Sequence, residues 1–234
     1  MPLRAEQIEL FCHYWDEYQN AKYFAGNTEN INVFAPLTDK EQIKNDLIKL
    51  GFPAHCFEQE TDWGYGKFID LKYDIFNRYV VDGGEEPRSY YVYGFIGVGK
   101  STLLTSIAKR LYTYLNIKPR YITMSQLARL FTASSVFENK KTQHQAQEEL
   151  ESLYYSKFLF IDNMSFAQLT DKQMEHSLEF FNARYSRRLP VFIASNNDIR
   201  KMDGNPFYTQ LSSWMQDSNY FMSPICFDWG DRRK

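Results

Sequence analysis

Residues 94–104 read GFIGVGKSTLL and follow SYYVY at 89–93. The spacing is G-x-x-x-x-G-K-S, with Gly94, Gly99, Lys100 and Ser101 on the pattern. A β-type run precedes it and a helical run, Ser101–Leu115, follows, which is the context a phosphate-binding loop needs. Glycines let a backbone curl until several N–H groups face one anion, and the helix start adds its unpaired amides and dipole. The amides from Gly97, Val98 and Gly99 through Lys100, Ser101 and Thr102 therefore form the candidate cradle for a nucleoside triphosphate such as ATP. Lys100 would neutralise the outer phosphates, and the Ser101 hydroxyl would hold Mg²⁺. The competing reading is an ordinary glycine-rich turn, and the agreement of motif and flanks disfavours it.

The chain has 234 residues, 44% of them hydrophobic and 17% aromatic, enough for a sizeable core. Mean hydropathy is −0.52 and no long apolar run occurs, so no transmembrane helix and no membrane partner are expected. The opening MPLRAEQIELFCHYWDEYQNAKYF lacks the apolar core and cleavage site of a signal peptide. Cys12, Cys56 and Cys226 are scattered and odd in number, as are the four histidines in their spacing. This is the pattern of reduced thiols in a cytoplasmic protein without a zinc site. A net charge of −2 excludes a strongly basic nucleic-acid coat protein. Residues 1–50 carry five Lys/Arg against eight Asp/Glu, a net of −3, which leaves about +1 for the remainder. Such a division fits a leading unit over 1–50 and a second over 51–234.

In the leading unit, Ile8, Phe11, Trp15 and Tyr18 fall at helical spacing within residues 3–24, and GNTENIN at 26–32 reads as a loop. Thr38-Asp-Lys-Glu41 has capping-box spacing and opens a second helix that ends at Gly51. A helix at Leu71–Val81 and a turn at VDGGEEP follow. Beyond them strands are expected at Ser89–Tyr93, Arg120–Met124, Lys157–Asp162, Pro190–Ser195 and Pro224–Phe227. They alternate with helices at Ser101–Leu115, Ser125–Ala133, Gln143–Tyr154, Thr170–Tyr185 and Pro206–Trp214. KFLFID and PVFIAS are continuous apolar runs, as strands covered on both faces require. The expectation is an α/β fold with a five-stranded, mostly parallel sheet.

KFLFID ends in Asp162, at the strand end where open α/β sheets place ligands, so Asp162 is the candidate second Mg²⁺ contact. A plain turn cap is the other reading. The next residue is Asn163, whose neutral amide can hold a water and cannot take its proton. PVFIASNND ends in Ser195-Asn196-Asn197, where Asn196 either meets the γ-phosphate or attacking water, or belongs to a simple turn.

The order GxxGxGKS, FLFIDN, FFNARYSRRLPVFIASNND and a closing FDWGDRR resembles the bacterial replicative helicase loaders of the DnaC/DnaI family, with the related IstB-type transposition ATPases. GFPAHCF at 51–57 resembles the start of that family's ATPase module, so the likeness covers about residues 51–234. It implies an AAA+ P-loop core using ATP and Mg²⁺, a small helical N-terminal module that grips a DnaB-like hexameric helicase, and delivery of that helicase to single-stranded DNA. It leaves self-association into a homo-oligomer open. Lys100, Asp162, Asn163 and Asn196 fall on the family's catalytic positions, Asn196 on its sensor 1. Asn163 replaces an acidic residue, and the helix YTQLSSWMQDSNYF lacks the family's arginine finger; Arg200 precedes it, and Arg232 and Arg233 follow. Both departures point to an ATPase with impaired hydrolysis. Arg129, Lys140 and Lys141 lie where the family contacts single strands, though a solvated surface is the favoured reading for any one of them; Phe131 and Phe137 could stack bases, but such aromatics are more often core. The rival functions are an IstB-type DNA-binding adaptor, a loader mimic that inhibits helicase, and a small-molecule P-loop kinase. The kinase is disfavoured by the late position of the loop and the want of a lid-like arginine cluster.

Overall fold

The computed structural model describes residues 39–57, 88–115, 117–135, 140–165, 169–202, 206–221 and 224–228. The elements expected at 3–24, 26–32, 71–81 and 81–87 lie outside these residues, as do Cys12, Phe137, Arg232 and Arg233. The described chain begins with α1 (Lys40–Lys49), capped by the Asp39 carboxylate, which accepts from the N–H groups of Glu41 and Gln42. The cap is thus one residue later than the Thr38 box: Asp39 holds the extended backbone that frees its side chain to turn back on the helix. The helix closes where expected. Phe52 N–H returns to Leu47 O and Gly51 N–H to Ile48 O, with Gly51 left-handed at φ 101°.

Five strands follow: β1 (Tyr90–Gly94), β2 (Arg120–Thr123), β3 (Leu159–Asp162), β4 (Val191–Ser195) and β5 (Ile225–Phe227). They form one sheet in the order β2-β3-β4-β1-β5, with every pairing parallel. Each parallel step needs a crossover, supplied by α2 (Lys100–Leu115), α3 (Met124–Ser135), α4 (Lys140–Tyr155), α5 (Asp171–Ser186) and α6 (Pro206–Gln216). Every expected strand and helix from residue 89 onward is present, with ends that coincide or differ by at most three residues.

Alternation along the strands sends side chains into two cores. On one face Tyr90, Val92, Phe158, Phe160, Phe192 and Ala194 pack with α2 and with Ile43 and Leu47 of α1. The rings of Tyr90, Phe192 and Phe160 stack across three strands, with centroids 5.2 Å and 4.5 Å apart. On the other face Tyr91, Leu159, Ile161, Val191 and Ile193 pack with residues of α3 to α6, Phe131 and Trp214 among them. Phe131 is therefore core, not a stacking surface. Helix α1 is seated on the same core as the phosphate-loop helix, and Tyr112 of α2 donates to the Asp46 carboxylate at 3.0 Å.

Near the amino ends of the strands, Arg184 of α5 is fully buried. Its guanidinium donates to the carbonyls of Leu153, Tyr154, Ser156 and Pro190 and to the Ser156 hydroxyl, so it ties the end of α4 to the lead-ins of β3 and β4. Burial lowers its pKa to about 10. No helix among the described residues is long and apolar enough to cross a membrane. Among the described residues, neither Cys56 nor Cys226 is in a disulfide.

Candidate nucleotide site

Strand β1 ends at Gly94, where a Cβ would lie 2.2 Å from the carbonyl oxygen of Phe227 on β5; only glycine fits beside that strand. The loop then turns through Gly97 and Gly99, both left-handed at φ 86° and 92°. Val98 between them is fully buried and pins the loop into the core. Helix α2 begins at Lys100, and its first intrahelical bond, Leu103 N–H to Gly99 O at 2.9 Å, leaves the preceding amides without helical acceptors. Lys100 is buried, 8% exposed, and its ammonium donates to the carbonyls of Gly94 at 2.9 Å and Phe95 at 2.8 Å. Burial lowers its pKa, while the Asp162 carboxylate acts in the opposite direction. Ser101 is half-buried on the first turn, and Thr102 is buried with its hydroxyl toward the Cys56 sulfur.

Asp162 ends β3, two residues beyond Phe160 and hence on the α2 face of the sheet. It is 7% exposed, and both carboxylate oxygens are engaged. Oδ1 accepts from the Asn163 N–H at 2.7 Å, and Oδ2 accepts from the Tyr121 hydroxyl at 2.6 Å. Asn163 is exposed and left-handed at φ 51°, a conformation asparagine tolerates better than most side chains. The turn after it is anchored to β4: Met164 N–H donates to Ala194 O, and the Ser195 hydroxyl donates to Met164 O, each at 2.9 Å. Asn196 follows directly, exposed at the end of the strand between β1 and β3.

The loop, Lys100, Ser101, Asp162 and the Asn163 and Asn196 turns thus converge at the carboxyl ends of three neighbouring strands. Arg129, Lys140 and Lys141 are exposed on α3 and α4, the helices between β2 and β3 in the chain. Arg200 stands beside β1, not on α6. Its guanidinium pairs with both Asp198 oxygens at 2.9 Å, donates to the Tyr93 hydroxyl at 2.7 Å and lies over that ring. Tyr121 and Tyr93 were not legible as site residues: each reaches its partner across strands or loops whose register no single sequence states.

The donor set suits Mg²⁺. That ion dehydrates reluctantly and is usually held by one or two carboxylates plus substrate phosphates. Asp162 and Ser101 match this, and among the described residues no cluster of three His, Cys, Asp or Glu offers an all-protein cage.

The sequence pattern of the bacterial DnaA ATPase domain matches residues 80–216. The chromosomal replication initiator protein DnaA of Nautilia profundicola is 22% identical over 167 residues, 71% of this chain and 36% of its own length. The chain thus spans about a third of the curated relative it matches. Among solved structures, DnaI shares the fold with a TM-score of 0.58 at 20% identity, over 77% of this chain and 94% of its own. A replication initiator DnaA bound to AMPPCP and single-stranded DNA gives 0.55 at 16% identity, over 71% of this chain and 48% of its own. Together with the all-parallel five-stranded sheet, these likenesses bear out the AAA+ fold.

Proposed function

The chain belongs to the bacterial DnaA ATPase-domain family, and from that premise we propose that it is an ATP-binding AAA+ protein of DNA replication that delivers a hexameric replicative helicase to single-stranded DNA. The observation that carries the nucleotide part is the buried Lys100 inside the Gly94–Ser101 loop, electrostatically coupled to Asp162 across the same strand ends. Lys100 would exchange its two loop carbonyls for phosphate oxygens, a charge-assisted and stronger bond. Ser101 and Asp162 would hold Mg²⁺, which when bound neutralises charge between the outer phosphates. The helix start and the Gly97–Gly99 amides orient the chain of phosphates.

Hydrolysis is weak or depends on a partner. Asn163 offers an amide where a base is needed, and Arg200 is already spoken for by Asp198 and Tyr93. The nucleotide then acts mainly as a switch. Residues 1–50 form the helicase-facing unit, with α1 as its seat on the ATPase core. The loader reading is supported by the motif order of the DnaC/DnaI type and by the shared fold with DnaI over nearly its whole length.

The test is co-elution of the full chain with a replicative helicase, with and without ATP, followed by helicase loading on naked single-stranded DNA. An ATP-dependent complex that loads helicase supports the reading. A complex that blocks loading marks an inhibitory mimic, and filaments on duplex DNA with no helicase complex mark an IstB-type adaptor.

A further inference from the structure

Tyr121 makes contacts that no nucleotide-binding motif accounts for. It lies on β2, two residues before the Thr123 that pairs with Asp162. The gap along the strand is roughly 6.6 Å, and the Tyr121 hydroxyl closes it to donate to Asp162 Oδ2 at 2.6 Å. The rest of the residue is fixed from the opposite direction. Its N–H donates to Leu50 O at 3.1 Å, its carbonyl lies where a Cβ on Gly51 would come within 2.4 Å, and its ring packs on Phe52 with centroids 4.9 Å apart. Phe52 in turn meets Phe160 edge-on at 5.4 Å, so the ring sits in a fixed slot.

We propose that Tyr121 is a positioning residue for the Mg²⁺ of the nucleotide site, fixing the carboxylate of Asp162 and tying it to the turn at Leu50–Phe52 that ends α1. This rests on the ATP reading above. With one oxygen held by the Asn163 amide and the other by Tyr121, rotation of the carboxylate is restrained, and each oxygen keeps a lone pair for a metal. Without the hydroxyl the group swings about its one remaining bond, and ordering it becomes a cost of metal binding. Losing such an outer partner typically costs 10- to 100-fold in metal affinity, about tenfold being expected here for a single bond.

The experiment uses full-length Tyr121→Phe, which keeps the ring and removes only the donor. A fluorescent ATP analogue is titrated without metal, then Mg²⁺ is titrated into the protein–analogue mixture, with thermal melts alongside. The expected result is unchanged metal-free affinity and Tm within a few degrees, with the Mg²⁺ midpoint raised about tenfold. Phe52→Leu, which keeps the hydroxyl and frees the ring, moves the midpoint the same way by less. An unmoved midpoint in Tyr121→Phe overturns the proposal, as does an equal loss of metal-free affinity, which marks a general structural role. An unmoved midpoint in Phe52→Leu overturns the tie to the Leu50–Phe52 turn. A wild-type protein that binds the analogue with no Mg²⁺ dependence overturns the site reading itself, and this proposal with it.

Discussion

The two ends of the sheet treat buried cations in opposite ways. At the carboxyl ends, Lys100 bonds two carbonyls of its own loop and is coupled electrostatically to the Asp162 carboxylate. At the amino ends, Arg184 is buried more deeply and makes five hydrogen bonds, all to main-chain carbonyls and one serine hydroxyl of elements it joins. Beside it Arg188 sits left-handed at φ 53°, after a helix end closed by Leu189 N–H to Arg184 O and Arg188 N–H to Tyr185 O. Glycine is usual there; Arg188 is kept by its bond to Asp217 at 2.7 Å and by stacking over Tyr185 and Tyr220. Burial of a charge therefore does not mark a site by itself. What marks one is a cation whose bonds can be exchanged for a ligand's without unfolding anything.

This division can be broken by substitution. Lys100→Ala should weaken ATP binding about a hundredfold, the roughly 2–3 kcal/mol of a charge-assisted bond, and leave Tm nearly unchanged. Fluorescence titration with melting curves reads both. Arg184→Met should do the reverse. Carbonyls at the end of α4 and before β4 lose their donor, costing roughly 3 kcal/mol, or about 6–12 °C in Tm, with nucleotide affinity intact in the folded protein. A stable Arg184→Met protein that no longer bound ATP would erase the distinction. Asp217→Asn should have the smallest effect, no more than about 3 °C near pH 7. The Arg188 guanidinium, and then the Tyr185 hydroxyl, hold the Asp217 carboxyl below the usual carboxylate range. Its contribution is complete above the unfolded value near about 3.9 and is lost as pH falls through the lower native value. The wild-type and Asp217→Asn melting curves should therefore converge in acid.

The carboxyl-end site was readable because its parts are local. GFIGVGKS encodes its turn within eight residues, and Asp162 and Asn196 each close a run of apolar residues that reads as a strand. Arg184 was not readable: within FFNARYSRR it is one of three arginines, and only the packing of α4 against the β4 lead-in decides which one is buried. Tyr121 was hidden for a similar reason. In RYIT it is an ordinary strand residue, and its partnership with Asp162 depends on the β2–β3 register. The helix cap moved from Thr38 to Asp39 because neighbouring polar residues compete for one cap and the backbone chooses between them.

The most direct measurement is a calorimetric titration of the wild-type chain with a slowly hydrolysed ATP analogue, with Mg²⁺ and with excess chelator. One saturable site whose affinity rises with Mg²⁺, with the rise lost in Asp162→Asn, is the expected result. No saturable heat, or the same affinity in both conditions and in Asp162→Asn, would contradict the placement of a metal-bound triphosphate between the Gly94–Ser101 loop and Asp162.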